Sequence, residues 1–188
     1  MELQHINIKI LVESGSLDQD RIIEIFHGWV AEQSMPEMLI DVADYRHVFS
    51  GPGVVLIGLQ ADYSLDNTGN RLGLRYNRKS KLEGSNVDRI QHAFRAAAQA
   101  CRSLESKFEG DGLKFSRREM ELSVNDRRLA PNRSETLASC EPEIQTALQE
   151  LFGHDEISIT PDAEPRRTFG VTVELGKPFE LEALAATV

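Results

Sequence analysis

Between Val87 and Phe108 the apolar residues fall at Val87, Ile90, Phe94, Ala97, Cys101, Leu104 and Phe108, an unbroken 3-4-3-4-3-4 spacing. At 100° per residue this draws one apolar stripe along a helix. Ser85, with Asp88 three residues on, supplies a variant of the capping box, and Gly110 offers a stop. At 1.5 Å per residue the helix runs about 35 Å, so the rest of the chain must provide an apolar surface of comparable length. Ala97 and Cys101 narrow the stripe and permit close approach to a sheet. Three heptads are near the lower limit for a coiled coil, so core packing is the expectation. Arg89, Arg95 and Arg102 are expected to face outward.

The sheet is foreshadowed on both sides of that helix. In "QHINIKILV", Ile6, Ile8, Ile10 and Val12 alternate with polar residues, the period of a half-buried strand. Ile22, Ile23, Ile25, Phe26, Trp29 and Val30 then mark an amphipathic helix. "MLIDVADY" and the wholly apolar "VVLIGL" read as two strands joined through Gly51-Pro52-Gly53, whose proline and following glycine suit a type II turn. "DYSLDNTGN" reads as a turn, and "RLGLRYNRK" as a strand with Arg71, Gly73, Arg75 and Asn77 on its polar face. After the long helix, "MELSVNDRRLAPN" suggests a hairpin turning at Asn125-Asp126. A helical region from Ser134 to Phe152 is expected to restart or kink at Pro142, and "EISIT" and "TFGVTVEL" close the chain as strands.

This order predicts an α+β fold, a largely antiparallel or mixed sheet with amphipathic helices on one face. Residues 71–160 read as β-α-β-β-α-β, the order of a ferredoxin-like unit. A chain of 188 residues with 40% hydrophobic residues can bury one substantial core, so a single domain, 1–188, is expected, with 1–82 and 83–188 as its natural sub-halves.

Charge is distributed unevenly. Residues 1–70 carry 3 Lys and Arg against 11 Asp and Glu, residues 71–133 carry 15 against 8, and residues 134–188 carry 3 against 11. The net charge of -9 argues against nucleic acid as a partner for the whole surface. Within the basic middle block, Arg71, Arg75, Arg78 and Lys79, with Arg117 and Arg118, are the candidates for binding an anionic small molecule or an acidic protein surface. The alternative is pairing with the acidic ends of the same chain.

"IDVADYRHVFSGPG" gathers Asp41, Asp44 and His47 before the glycine-proline-glycine turn, the groups a metal or acid-base site would need. Strand alternation sends the two aspartates to opposite faces, so these polar residues are expected to cap a strand end. Asp62, Ser64 and Asp66 are spaced like part of a calcium loop but lack its glycine and distant glutamate. His27 borders the apolar face of its helix, and His92 lies opposite the stripe of the long one, so both are expected to be solvated or edge residues rather than ligands. Cys101 and Cys140 read as core residues. No metal or cofactor is implied by any motif.

The start of the chain lacks a signal peptide pattern and no apolar run approaches membrane-spanning length, so a soluble, cytoplasmic protein is expected. Its expected function is binding or assembly, with oligomerisation through a sheet face or the long helix as one form. The competing class is an enzyme acting on an anionic small substrate through Asp41, Asp44 and His47.

Overall fold

Alternation along β1 (Ile6–Ser14) divides the molecule into two halves of different chemistry. Ile6, Ile8 and Ile10 are buried in the hydrophobic core, whereas Asn7 and Lys9 point to the opposite side of the sheet. The computed structural model describes residues 1–181 and Leu184. Its other strands are β2 (Leu39–Tyr45), β3 (Gly53–Gly58), β4 (Ala61–Asp66), β5 (Gly73–Arg78), β6 (Lys114–Val124), β7 (Ile157–Pro161) and β8 (Gly170–Leu175). The helices are α1 (Gln19–Glu32), α2 (Asn86–Lys107) and α3 (Ser134–Phe152). The architecture is α+β, as the element pattern predicts: one open eight-stranded antiparallel sheet in the order β2-β3-β4-β5-β1-β6-β8-β7, with the three helices packed on it.

Each helix connects two strands that run in the same direction without touching. β5 and β6 are both antiparallel to β1, which lies between them, and α2 carries the chain from one to the other. Likewise α3 links β6 to β7 across β8, and α1 links β1 to β2 across β5, β4 and β3. All three crossovers turn in the same sense, which places their helices on one face. Among the described residues, the other face carries no helix.

The ferredoxin-like unit does not form. Residues 71–160 supply β5-α2-β6-α3-β7, one strand short, and β1 is inserted from outside. Outside that range, "DYSLDN" is strand β4 through Asp66 and not a turn. Within it, the hairpin expected at Asn125-Asp126 is absent, which accounts for the missing strand. There the Asp126 carboxylate accepts from the amides of Arg128 and Leu129, and its carbonyl accepts from Ala130 N. This side-chain capped turn leads the chain away from the sheet. Pro142 leaves α3 assigned as one helix. Ala138, whose carbonyl is deprived of the donor that proline lacks, is exposed, so water reaches it.

Helix α2 is more deeply buried than its stripe implies, because β1, β5 and β6 lie on one side and α3 on the other. Ala93, Ala96, Ala97, Ala98 and Ala100 allow both approaches at short range. Arg89, expected to face outward, is 8% exposed. Its guanidinium donates to the carbonyls of Leu82 and Leu3, to Asn86 Oδ1 and to Glu2, tying the N-terminus to the helix start. Phe94 is fully buried and meets Phe152 of α3 edge to face at 5.9 Å.

Replacing Phe94 by alanine is expected to cost about 3–5 kcal/mol, the range for truncating a buried aromatic. Urea unfolding followed by circular dichroism measures it; a loss under about 1 kcal/mol would place the ring outside the core.

Candidate functional site

On the helix-free face the strand register lines up two cross-strand rows of side chains. One runs Ile57, Asp62, Asn77, Asn7, Ser123 and Gly170 across β3, β4, β5, β1, β6 and β8; the other runs Val55, Ser64, Arg75, Lys9, Glu121 and Thr172 across the same strands. Polar residues dominate both rows. This alternation is visible within β4 itself, where Ala61, Tyr63 and Leu65 enter the core while Asp62, Ser64 and Asp66 face the other way.

Two opposite corners of the sheet close over these rows. The loops before β3 and after β4 stand at one end, joined by Asn67 N donating to Gly51 O at 3.1 Å and Gly69 N donating to Ser50 Oγ at 3.2 Å. The loops after β6 and before β8 stand at the other end, joined by Asn132 Nδ2 donating to the carbonyls of Asp162 and Glu164. A twisted sheet raises diagonally opposite corners toward the same side, and the result is a cleft of about 750 Å³, within the roughly 300–1,000 Å³ usual for ligand pockets. Gly53 (φ +63°) makes the first corner possible, because a Cβ there would lie 2.4 Å from Leu65 O.

Lys9 lies in the floor with only 1% of its surface exposed. Its ammonium donates to Asp66 Oδ1 at 2.8 Å and to Thr68 O at 3.3 Å, with Glu121 Oε2 3.9 Å away. Asp66 sits two strands over, so the lysine stem must cross β5. It does so at Gly73, where a Cβ would lie 3.1 Å from Lys9 Cγ and 2.6 Å from Ile10 O. Gly73 therefore serves close packing of the chain against itself. The other Asp66 oxygen is 3.1 Å from Arg75 Nη1, making a Lys-Asp-Arg array in which the lysine and the aspartate are buried and the arginine is partly exposed.

Not every polar group in the floor is matched. Asn7 Oδ1, Asn77 Oδ1 and Arg75 Nε are buried and have no hydrogen-bond partner among the described residues. Asn7 and Asn77 are directly opposed across β1 and β5, with Arg75 two residues from Asn77 on the same face. Such atoms cost about 1–3 kcal/mol each when left dry, so this part of the floor is held at an energetic cost.

The six basic candidates do not form one patch. Arg71 and Arg75 line the cleft, Arg71 pairing with Glu119 and with Glu121 at 3.3 Å. Lys79 is held by Asp62 at 2.6 Å. Arg78 lies on the helix face in a small pocket with Tyr76 and His92, donating to Ser80 O and Lys81 O. Arg117 reaches Glu105 of α2 at 2.8 Å, and Arg118 donates to the carbonyls of Leu175 and Gly176.

Asp41, Asp44 and His47 are exposed along the sheet edge and the loop that follows it. Asp41 accepts from Val42 N, whereas Asp44 is gripped by the Arg46 guanidinium, which holds its carboxyl down to about 2. His47 stands beside the Tyr45 ring. Among the described residues, no three His, Cys, Asp or Glu side chains are grouped to hold a metal ion.

A second polar cluster, on the helix side, escaped sequence reading. Glu37, in the loop after α1, accepts from Tyr63 Oη at 2.6 Å and Tyr76 Oη at 2.9 Å, and Tyr76 Oη lies 3.3 Å from His92 Nε2. Burial, then the Glu37 charge, pushes both phenols up. Burial, followed by Arg78, lowers His92, which is partly covered at the edge of the core. No local signal joins Glu37 to tyrosines 26 and 39 residues away. Only the alternation of Tyr63 and Tyr76 with polar neighbours hints that both enter the core. This cluster leaves no comparable space, since its adjoining pocket holds about 10 Å³.

No family model matches the sequence, and a search among curated proteins finds no relative. Among the described residues, no helix is long and apolar enough to cross a membrane.

The Lys9-Asp66 array predicts an asymmetric response. Asp66→Leu strands a buried ammonium and is expected to cost about 3–5 kcal/mol, whereas the double variant Lys9→Met/Asp66→Leu recovers much of that loss. Lys9→Met alone is expected to cost less than Asp66→Leu, because Asp66 keeps Arg75. Denaturant unfolding of the three variants checks the ordering; equal, additive losses would contradict a buried pair.

Proposed function

We propose that this is a binding protein whose ligand is a small polar molecule seated in the cleft over β4, β5, β1 and β6. The single observation behind this reading is a cleft of about 750 Å³ whose floor is lined by polar side chains from four adjacent strands, Asn7, Lys9, Ser64, Arg75, Asn77 and Ser123 among them. Arg75 also carries forward the expectation of a basic binding residue, its Nη1 held by Asp66 and its side chain partly exposed in the cleft. The floor stands on strands rather than loops, which fixes its groups in place before anything binds. Two buried free thiols, Cys101 and Cys140, support residence in a reducing compartment such as the cytoplasm.

The test follows the side-chain signals of Asn7, Asn77 and Arg75 by ¹⁵N-correlated NMR while inorganic phosphate, acetate, acetamide, glycerol and glucose are titrated in separately. At least one is expected to shift these signals in a saturable way, with Asn77→Val abolishing the effect and leaving the melting temperature unchanged or raised. If no compound shifts them, or if Asn77→Val unfolds the protein, these groups are structural and the reading fails.

A second reading, self-assembly, is favoured by the sheet edge. Phe49 at the β2-β3 loop is 97% exposed, and Met38, Ile40, Tyr45, Val48 and Leu59 are also exposed on or beside these strands. An unpaired edge strand bearing apolar residues is a template for a second chain. Assembly through this edge predicts that the native protein sediments as an oligomer and that Ile40→Lys/Phe49→Ser sediments as a monomer with unchanged melting. A native protein that is monomeric at high concentration removes this reading.

A further inference from the structure

The pairing that absorbs most of the basic middle segment stops at one corner of the sheet. Arg127, Arg128 and Arg133 lie in the loop after β6, Arg166 lies in the loop before β8, and all four are exposed. Among the described residues, none of these guanidiniums has a hydrogen-bond, ion-pair or ring partner. The chain has 15 arginines, and among the described residues only Arg102 on α2 shares that condition. Asp and Glu number 30 against 21 Lys and Arg, so a shortage of carboxylates does not leave these four bare.

The two loops that carry them are joined. Asn132 Nδ2 donates to the carbonyls of Asp162 and Glu164 at 3.0 and 2.9 Å, and Pro131 bridges to Thr168. The acidic residues of the loops are engaged by backbone. Asp126 accepts from the amides of Arg128 and Leu129, Asp162 from Glu164 N, and Glu164 from Arg166 N. Among the described residues, the one ion pair within the corner is Arg167 with Asp162 at 3.2 Å. Pro131 and Pro165 restrict the backbone further. The arginines therefore stand on a fixed backbone before a partner arrives, which lowers the ordering cost of binding.

What the corner holds and lacks sets the chemistry of that partner. All its cations are arginine, whose planar fork grips a carboxylate or a phosphate through two parallel hydrogen bonds. Residues 125–133 and 162–169 carry 5 Arg against 3 Asp and Glu, a local balance of +2, so the rest of a chain of net charge -9 carries -11. A long phosphate backbone would run from this small patch onto repelling surface. The loops also offer no ring on which a base could stack, since their one aromatic residue, Phe169, is buried. A protein segment meets neither difficulty, because it can present a few carboxylates and stop. Leu129, 37% exposed beside Arg128, adds the apolar contact that protein interfaces combine with arginine.

We propose that this corner is a docking surface for an acidic segment of a partner protein, gripped by Arg127, Arg128, Arg133 and Arg166. It is independent of whatever occupies the cleft, which Arg167 alone of the corner's arginines lines.

The probes are fluorescein-labelled decaglutamate and a labelled single-stranded DNA of matching charge, with binding to the full chain read by fluorescence anisotropy. Decaglutamate is expected to bind saturably at about 50 mM NaCl and to weaken by about tenfold or more at about 500 mM, as salt screens the exposed charges. Arg127→Gln/Arg128→Gln and Arg133→Gln/Arg166→Gln are each expected to weaken it by about fivefold or more, through the loss of two charge-assisted contacts. Both variants are expected to melt within about 2 °C of the parent, because no internal bond is removed. Arg102→Gln/Lys107→Gln removes the same charge from α2, which precedes β6 and is remote from the corner at its far end, and is expected to leave binding within about twofold. Absence of decaglutamate binding at low salt, an equal loss in the α2 variant, or a larger fall in melting of the arginine variants overturns the proposal. DNA bound more tightly than decaglutamate through the same arginines overturns the protein class and makes phosphate the group this corner grips.

Discussion

A lysine stretched across a sheet face, with almost none of its surface in water, organises the polar half of this molecule. Lys9 belongs to the central strand β1 and ends on Asp66 of β4, two strands away. Its path needs a position with no side chain in β5, which Gly73 supplies, and a carboxylate at the far end, which binds Arg75 as well. A buried ion pair is weak evidence of net stability, since similar apolar residues often serve as well. Its consequence here is positional. With Asp66 occupied by Lys9 and by Arg75 Nη1, the guanidinium is held in one orientation, on the same sheet face as the carboxamides of Asn7 and Asn77.

The same strand that carries Lys9 also anchors the core. Ile6, Ile8 and Ile10 pack under α2, whose alanine-rich faces let the sheet and α3 approach from two sides. Because every crossover returns on that one face, the opposite face is left to side chains alone, and twist closes it only at two corners. A cleft without helices on it is therefore a consequence of the topology, and its polarity a consequence of the residues that alternate with the core.

Sequence periodicity revealed the elements whose apolar pattern is locally strong: β1, α1, the β2-β3 hairpin, α2 and β8. It failed where a strand carries its polar face in turn-forming residues. Asp62, Ser64 and Asp66 look like a loop, or part of a calcium site, until their period of two is set beside Ala61, Tyr63 and Leu65, which enter the core. Missing β4 and reading the Asn125-Asp126 turn as a hairpin gave the right number of strands in the wrong places, and the ferredoxin-like unit followed from the hairpin. Arg89 failed for another reason: its helical position is polar by periodicity, yet the N-terminal segment folds over it and supplies carbonyls. Tertiary cover of that kind has no trace in local pattern.

For the site, the sequence singled out Arg71 and Arg75 on one strand face, and both line the cleft. It could not single out Asn7, Lys9, Ser123 or Glu121, because what joins them is register, and register depends on pairings between residues more than a hundred positions apart. Charge blocks along the chain do not survive whole in space, for a related reason. The basic middle segment alternates between two faces of the sheet, so Arg75 and Arg78, close in sequence, finish on opposite sides of β5. Folding converts the block into local pairs with Asp62, Asp66, Glu105, Glu119 and Glu121. Once those pairs are formed, each lysine and arginine lining the cleft stands beside a carboxylate, so over the cleft a block of charge in the sequence does not become a patch of charge in the fold.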